Sequence, residues 1–253
     1  MSFVNVRGQR LEYECIIGAD VKAPIIVFLH EGLGSVAMWR DFPSQVAART
    51  GHSVLVYSRA GYGRSSDIRG RRSVSFMHTE ALEILPDFLD KLGVVNPILF
   101  GHSDGGSIAL ILAGAIDRPV TGLVVVAPHV IVEDVCIDRI RQAVGAFASS
   151  DMERKLSRYH TNPKSTFCRW SEVWLDPAFS GWSIEEYLPT ITCPILAIQG
   201  EDDEFGTMEQ IDCIARLAPQ VETLKLAKCR HSAHRDQPEA VLRAVDGFIS
   251  ALR

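Results

Sequence analysis

The chain has 253 residues, 47% of them hydrophobic and 23% charged, and a formal net charge of −5 at pH 7. A chain of this length can bury a large core without a second domain, so we expect a single domain over residues 1–253. Its basic residues are scattered through a net acidic chain, which argues against a nucleic-acid partner. No stretch approaches the roughly 20 apolar residues that cross a bilayer, and no signal-peptide pattern opens the chain, so we expect no membrane association.

The cysteine pattern bears on metal binding and on the cellular compartment. The six cysteines lie far apart, without a CxxC pair and without a histidine at a spacing typical of zinc sites. This distribution favours reduced thiols over a disulfide framework and predicts no metal site. Together with the lack of an export signal, reduced thiols predict a cytoplasmic protein.

The predicted elements begin with two alternating segments joined by a turn at Gly8, which indicates an antiparallel hairpin. After it, short runs rich in Val, Ile and Leu alternate with longer segments of helical period. Such unbroken apolar runs are typical of strands buried on both faces, and the helices between them supply the crossovers that parallel strands need. These strands are expected at 25–30, 54–58, 97–101, 120–127, 194–200 and 221–226, and the helices at 36–49, 76–92, 104–116, 206–218 and 238–252. With the hairpin, they predict an α/β fold with a mostly parallel eight-stranded sheet flanked by helices.

One long interval, between Ala127 and Pro194, contains no clear buried strand. It is too long and too rich in aromatic residues to be a plain loop, so we expect a small helical cap inserted at about 130–190. Its aromatic side chains include Phe147, Tyr159, Phe167, Trp170, Trp174, Phe179, Trp182 and Tyr187. At helical spacing these side chains are explained either by core packing or by an apolar substrate surface.

A sharply patterned turn links the strand predicted at 97–101 to the helix predicted at 104–116. Residues 101–106 read GHSDGG, with Ser103 at the centre. Small residues two before and two after a serine allow a strained turn that lifts the hydroxyl above the sheet edge at a helix N-terminus. Because a serine hydroxyl is a poor nucleophile at neutral pH, it needs a base and a carboxylate that orients the base. Ser103 is therefore the predicted nucleophile.

With this turn and its alternating strands and helices, nearly the whole chain resembles the α/β-hydrolase superfamily, in particular its serine esterase-like branch with a helical cap. In that family the chain order is serine, acid, histidine. The acid usually stands three residues after the glycine that ends a late strand, so Gly200 implies Asp203, with Asp202 as the alternative.

The resemblance also implies the catalytic base. The family places its histidine seven residues before the proline that opens the final helix. Counting back from Pro238 gives His231, with His234 as the alternative.

Acyl transfer also requires an oxyanion hole, in which backbone N–H groups point to the developing negative charge. One predicted donor is the N–H of Asp104, the residue after the nucleophile. The other lies in the loop after the strand at 25–30, which resembles the family's His-Gly loop but has Glu31 where glycine is usual. The second donor is therefore Gly32, or Leu33 if Glu31 is an inserted residue.

Two further side chains flank the expected site. Glu31 is interpreted as a structural partner of a nearby arginine, such as Arg40 or Arg59, rather than as a substrate ligand. His129 stands where the sheet gives way to the predicted cap, so it either faces the substrate or supports the structure.

The resemblance implies a serine hydrolase that cleaves a small carboxylic ester through an acyl-enzyme. The expected partner is a small-molecule acyl substrate, and the scheme requires neither a metal nor an organic cofactor. Carbon-carbon bonds, thioesters and lactones remain alternatives, because the same triad cleaves them. A non-catalytic receptor that holds a ligand under the cap is an alternative from a different class.

Overall fold

The computed structural model describes residues 1–68 and 70–252. Within them, eight strands form one sheet. The strands are β1 (Ser2–Val6), β2 (Gln9–Ile16), β3 (Ile26–Leu29), β4 (Val54–Ser58), β5 (Ile98–His102), β6 (Gly122–Val126), β7 (Ile195–Gly200) and β8 (Val221–Leu226). Their order in the sheet is β1-β2-β4-β3-β5-β6-β7-β8.

Strand pairing confirms the mostly parallel sheet. β1 pairs with β2, and β2 with β4, in antiparallel register, whereas every later pair is parallel. Every residue of β3 to β7 is buried, as their apolar runs predict, because helices cover both faces of a parallel sheet. β8 is an exception to this prediction: it lies at the edge of the sheet with only β7 beside it, and it is partly exposed rather than buried on both faces.

The helices are α1 (Phe42–Thr50), α2 (Phe76–Thr79), α3 (Leu85–Lys91), α4 (Asp104–Ala115), α5 (Asp134–Phe147), α6 (Met152–Leu156), α7 (Pro163–Trp174), α8 (Glu209–Leu217), α9 (Ala233–Asp236) and α10 (Pro238–Ala251). Alternate strand residues pack against different sets of these helices. Ile26 and Phe28 join the core formed with α1 and α10, whereas Val27 and Leu29 join the core formed with α2, α3, α4 and α8. This alternation follows from the two-residue period of a strand.

Two predicted helices are interrupted. The helix expected at 36–49 is divided into a 3₁₀ turn, Val36–Trp39, and α1, because Arg40 between them has φ +55° and leaves the helical region. Between α2 and α3 lies a π turn, Glu80–Ile84. It immediately precedes the first turn of α3, where Pro86 has no N–H to give a regular helical hydrogen bond.

The segment between β6 and β7 is helical. It contains α5, α6 and α7 and two 3₁₀ turns, Pro177–Phe179 and Glu185–Thr190. Most of its aromatic side chains pack in the core: Phe167, Trp170, Trp174 and Phe179 are buried, and Phe147, Trp182 and Tyr187 pack against them. Core packing is therefore the main reason for the aromatic content of this segment.

Candidate active site

Ser103 lies in a sharp turn at the sheet edge, between the end of β5 and the start of α4. Its backbone has φ 52° and ψ −122°, a region that is costly for a residue with a Cβ. The turn packs directly on β3, since a Cβ at Gly105 would overlap the backbone carbonyl of Leu29. The strand-turn-helix geometry expected of a nucleophile turn is therefore present at Ser103.

Asp203 and His231 come together beyond the ends of β7 and β8. The Nδ1 atom of His231 lies 2.9 and 3.0 Å from the two carboxylate oxygens of Asp203. Asp203 also accepts hydrogen bonds from the Phe205 N–H (2.8 Å) and from the side-chain amide of Gln199 (3.2 Å). These contacts orient the carboxylate toward the histidine ring.

The charges of this pair support each other. Burial alone would lower the pKa of His231, but the charge and hydrogen bond of Asp203 outweigh burial and raise this pKa above its ordinary value. Burial alone would raise the pKa of Asp203, but His231 and the Phe205 N–H lower it. Asp203 is thus held as a carboxylate, and it favours a proton on His231.

The alternative residues lie in different surroundings. Asp202 is exposed, and its N–H donates to the carbonyl of Cys229 (2.9 Å). His234 is buried among aromatic rings, with its centroid 4.8 Å from that of Trp39 and 5.4 Å from that of Phe42. Neither residue takes part in the hydrogen bonds between Asp203 and His231.

A cavity of about 150 Å³ lies above Ser103; we call it the inner cavity. It is lined by Glu31, Gly32, Leu33, Ser103, Asp104, His129, Cys136, Ile140, Trp170, Trp174, Phe205 and His231. Ser103, His231 and the three predicted oxyanion donors thus share one space, and Asp203 lies behind His231. Across the described residues, no group of three His, Cys, Asp or Glu side chains could hold a metal ion.

The backbone N–H groups on the wall of the inner cavity are available to a bound oxygen. In the described part of the chain, the N–H groups of Gly32 and Leu33 donate no hydrogen bond. The Asp104 N–H, at the first position of α4, has no acceptor within its own helix. Gly32 leaves no room for a side chain, because a Cβ would overlap the indole nitrogen of Trp170.

Glu31 lies beside an arginine, as expected, but the arginines named as examples are wrong. Its carboxylate lies 3.4 Å from Arg235 and 3.5 Å from Nδ1 of His102, not beside Arg40 or Arg59. Burial alone would raise the pKa of Glu31, but His102 and Arg235 hold it well below its usual range. The guanidinium of Arg59 instead donates to the backbone carbonyls of His30 (2.6 Å) and Glu31 (3.1 Å).

The family of the chain follows from a model of the α/β-hydrolase family, which matches residues 26–244. The chain belongs to the α/β-hydrolase family. No helix in the ranges 1–68 and 70–252 is long and apolar enough to span a membrane.

Individual relatives of this α/β hydrolase are distant. The sn-1-specific diacylglycerol lipase ABHD11 of Mus musculus is 32% identical over 115 residues, which are 46% of this chain and 35% of that protein. The chain thus spans about a third of the length of the curated relatives it matches.

Two solved structures share the fold over nearly their whole length. A thermophilic esterase from Thermogutta terrifontis superposes with a TM-score of 0.78 at 19% identity, covering 100% of this chain and 99% of that one. An enol-lactonase from Burkholderia xenovorans LB400 also gives 0.78 at 19% identity, covering 98% and 100%. At this identity the likeness shows the fold alone.

Several residues that line the site of this α/β hydrolase could not be assigned from its sequence. Cys136 and Ile140 of α5 face the inner cavity, together with Trp170 and Trp174 of α7. An apolar residue at helical spacing gives the same sequence signal whether it faces a core or a cavity, so no pattern identifies these four.

His129 faces the inner cavity and packs on Trp174, with ring centroids 4.8 Å apart. Burial and the neighbouring His231 lower the pKa of His129 to about 3. Its ring is therefore neutral at physiological pH, and it does not compete with His231 for a proton.

Proposed function

We propose that this α/β hydrolase cleaves a small carboxylic ester, with Ser103 as nucleophile, His231 as base and Asp203 as the acid that orients the base. One arrangement carries the proposal. Ser103, in its strained turn, and His231 line the same inner cavity, and Asp203 holds Nδ1 of His231 from behind. We also propose that the helical segment at about 130–190 acts as a cap over this cavity.

The proposed reaction has two halves. In the first, Nε2 of His231 takes the proton of the Ser103 hydroxyl while the Oγ atom attacks the ester carbonyl. The negative charge that forms on the carbonyl oxygen is bound by the N–H of Asp104 and by that of Gly32 or Leu33. The bond from carbon to the leaving oxygen then breaks, His231 gives its proton to that oxygen, and an acyl-enzyme remains.

In the second half, His231 takes a proton from water, and the resulting hydroxide attacks the acyl-enzyme. Collapse of the second tetrahedral intermediate breaks the bond to Ser103, which recovers its proton from His231, and the carboxylic acid leaves. Asp203 favours the cationic form of His231 that exists between these transfers.

The test compares the wild type with Ser103→Ala on 4-nitrophenyl esters from acetate to laurate. Removal of the nucleophile is expected to lower kcat by on the order of 10³-fold or more, while the fold, measured by circular dichroism, is retained. Ser149→Ala is the matched control, because Ser149 is an exposed serine outside the lining of the inner cavity.

A fluorophosphonate probe supplies a second measurement that does not depend on the choice of ester. It is expected to label the wild type and Ser149→Ala but not Ser103→Ala. A folded wild type that neither turns over any ester nor reacts with the probe would contradict the proposal. A wild type that reacts with the probe but leaves every ester intact would move the reaction to thioesters, lactones or carbon-carbon bonds.

A further inference from the structure

A second cavity adjoins the proposed site. It has a volume of about 360 Å³ and is called the outer cavity here. Its lining consists of Leu33, Arg139, Gln142, Ala143, Ala146, Met152, Phe167, Trp170 and Phe205. Leu33, Trp170 and Phe205 also line the inner cavity, so these three side chains form the partition between the two spaces.

The position of His231 decides which half of an ester lies on each side of the partition. The carbonyl group must occupy the inner cavity, because Ser103 and the oxyanion donors line it. The leaving oxygen must face His231, which protonates it. Phe205 packs on His231, with ring centroids 4.8 Å apart, and lines both cavities. The leaving group therefore passes Phe205 into the outer cavity.

The acyl group is left with the rest of the inner cavity, against Cys136, Ile140 and Trp174. A cavity of about 150 Å³ holds a molecule of roughly the size of benzene, and here the ester carbonyl takes part of that space. The outer cavity is more than twice as large, and apolar side chains such as Met152 and Phe167 predominate in its lining.

We propose that the substrate joins a short acyl group to a bulkier, apolar leaving group that binds in the outer cavity. This inference rests on the proposed function and adds to it a size limit for each half of the substrate.

Two ester series test the two limits separately. With the 4-nitrophenyl group constant, kcat/KM is expected to fall by about tenfold or more between butyrate and octanoate. With the acetyl group constant, kcat/KM is expected to hold or rise from phenyl to 2-naphthyl to 4-biphenylyl acetate, whose leaving groups are similar in acidity. The reverse pattern, with long acyl chains accepted and bulky leaving groups rejected, would overturn the proposal.

A substitution in the outer cavity supplies the second test. Ala143→Phe fills the cavity, so the ratio of kcat/KM for 2-naphthyl acetate to that for ethyl acetate is expected to fall by roughly tenfold. Val144→Phe adds the same ring to the same helix at a position 42% exposed and outside the lining, and should keep the wild-type ratio. Equal ratios in both variants would contradict the leaving-group site. A wild type inert toward every ester would instead count against the proposed function.

Arg59 provides an independent observation. Its side chain is almost fully buried, and its guanidinium donates to the backbone carbonyls of His30 (2.6 Å) and Glu31 (3.1 Å). The Glu31 carbonyl and the Gly32 N–H belong to the same peptide group. A cation at the carbonyl end polarises this group and strengthens the N–H as a donor.

The same guanidinium also faces the other predicted donor residue. Its Nη2 atom lies 3.7 Å from the buried carboxylate of Asp104, whose N–H is the first predicted oxyanion donor. An uncompensated carboxylate at that position would repel the oxyanion of the reaction. Burial raises the pKa of Asp104, and two cations oppose this rise, Arg59 more strongly than Arg72, so that Arg59 is the main offset to the negative charge.

We infer that Arg59 is a positioning residue of the oxyanion hole, which polarises the peptide group of the Gly32 donor and offsets the carboxylate of Asp104. The effect acts on the transition state, in which the oxyanion exists. It should therefore change kcat far more than KM.

Arg59→Met tests this role, and Arg72→Met is the control variant. Arg72 stacks on the Tyr62 ring as Arg59 does, but it donates to the Ala60 carbonyl and not to the loop of Gly32. Arg59→Met is expected to lower kcat by roughly 10- to 100-fold, with KM within about threefold of the wild-type value. An aryl boronic acid, which mimics the tetrahedral intermediate, should lose affinity in parallel. Arg72→Met should lose much less of both, because Arg72 does not donate to the loop of Gly32 and its charge acts on Asp104 more weakly than that of Arg59.

Two further variants separate this role from general destabilisation. Arg59→Lys keeps the charge but loses the bidentate geometry with which the guanidinium donates to two backbone carbonyls. It should show an intermediate loss in kcat even if Arg59→Met does not fold. Arg59→Met combined with Asp104→Asn should be more active than Arg59→Met, because the uncompensated carboxylate is gone. Equal losses in the Arg59 and Arg72 variants, or a loss confined to KM, would overturn the inference.

Discussion

The carboxyl edge of the sheet and the helical segment between β6 and β7 are built in different ways. At the sheet edge, β3 to β7 are buried throughout, and the turn after β5 leaves no room for one carbon atom at Gly105. In the helical segment, α5 exposes one face to solvent, and a Cβ at Gly145 would meet open space.

The two regions also contribute different groups to the site. The sheet edge positions Ser103, Asp203, His231 and the backbone donors, whereas α5 and α7 contribute apolar walls to the inner cavity. Backbone packing sets the places of the proposed reacting groups, and the side chains of α5 and α7 set the shape of the space above them.

The most severe test of this contrast is a pair of glycine substitutions. Gly105→Ala is expected to destabilise the protein by more than about 4 kcal/mol or to prevent folding, because its Cβ would overlap the Leu29 carbonyl. Gly145→Ala, within α5, is expected to stabilise it by roughly 0.5–1 kcal/mol, since alanine is the better helix former. Urea denaturation measures both changes. An unfolding midpoint of Gly105→Ala equal to that of the wild type would contradict the tighter packing of the sheet edge.

Asp203→Asn tests the sheet edge by chemistry rather than by packing. The amide cannot stabilise a protonated His231, so kcat on 4-nitrophenyl acetate is expected to fall by on the order of 10³- to 10⁴-fold. Asp202→Asn is the matched control, because this neighbour is exposed and the carboxylate that bonds to His231 is that of Asp203. A larger loss in Asp202→Asn would transfer the role to that residue.

The smallest expected effect is a shift of one titration. Asp203 raises the pKa of His231, so the neutral, base form should predominate only at a pH above the ordinary value of 6.5. In Asp203→Asn the opposing effect of burial remains, and the His231 titration should move to lower pH. Proton NMR of the His231 ring in both proteins measures the two midpoints, and an unchanged midpoint would contradict the coupling.

Much of the fold was accessible from local patterns. The unbroken apolar runs predicted the buried strands, and the GHSDGG turn predicted a sharp bend at Ser103. The interruptions at Arg40 and near Pro86 were missed, because the apolar periodicity continues across both. Family counting selected Asp203 and His231 from pairs of similar neighbours, and those two lie in hydrogen-bonding contact.

By itself the sequence determined the order of strands and helices and the strained serine turn, because these depend on the spacing of apolar residues and glycines along the chain. Only the tertiary structure decided that Glu31 pairs with Arg235, that Arg59 reaches the carbonyls of His30 and Glu31, and that Leu33, Trp170 and Phe205 separate two cavities. These contacts join residues far apart in the chain, and a one-dimensional pattern contains no information about which long side chains converge in space.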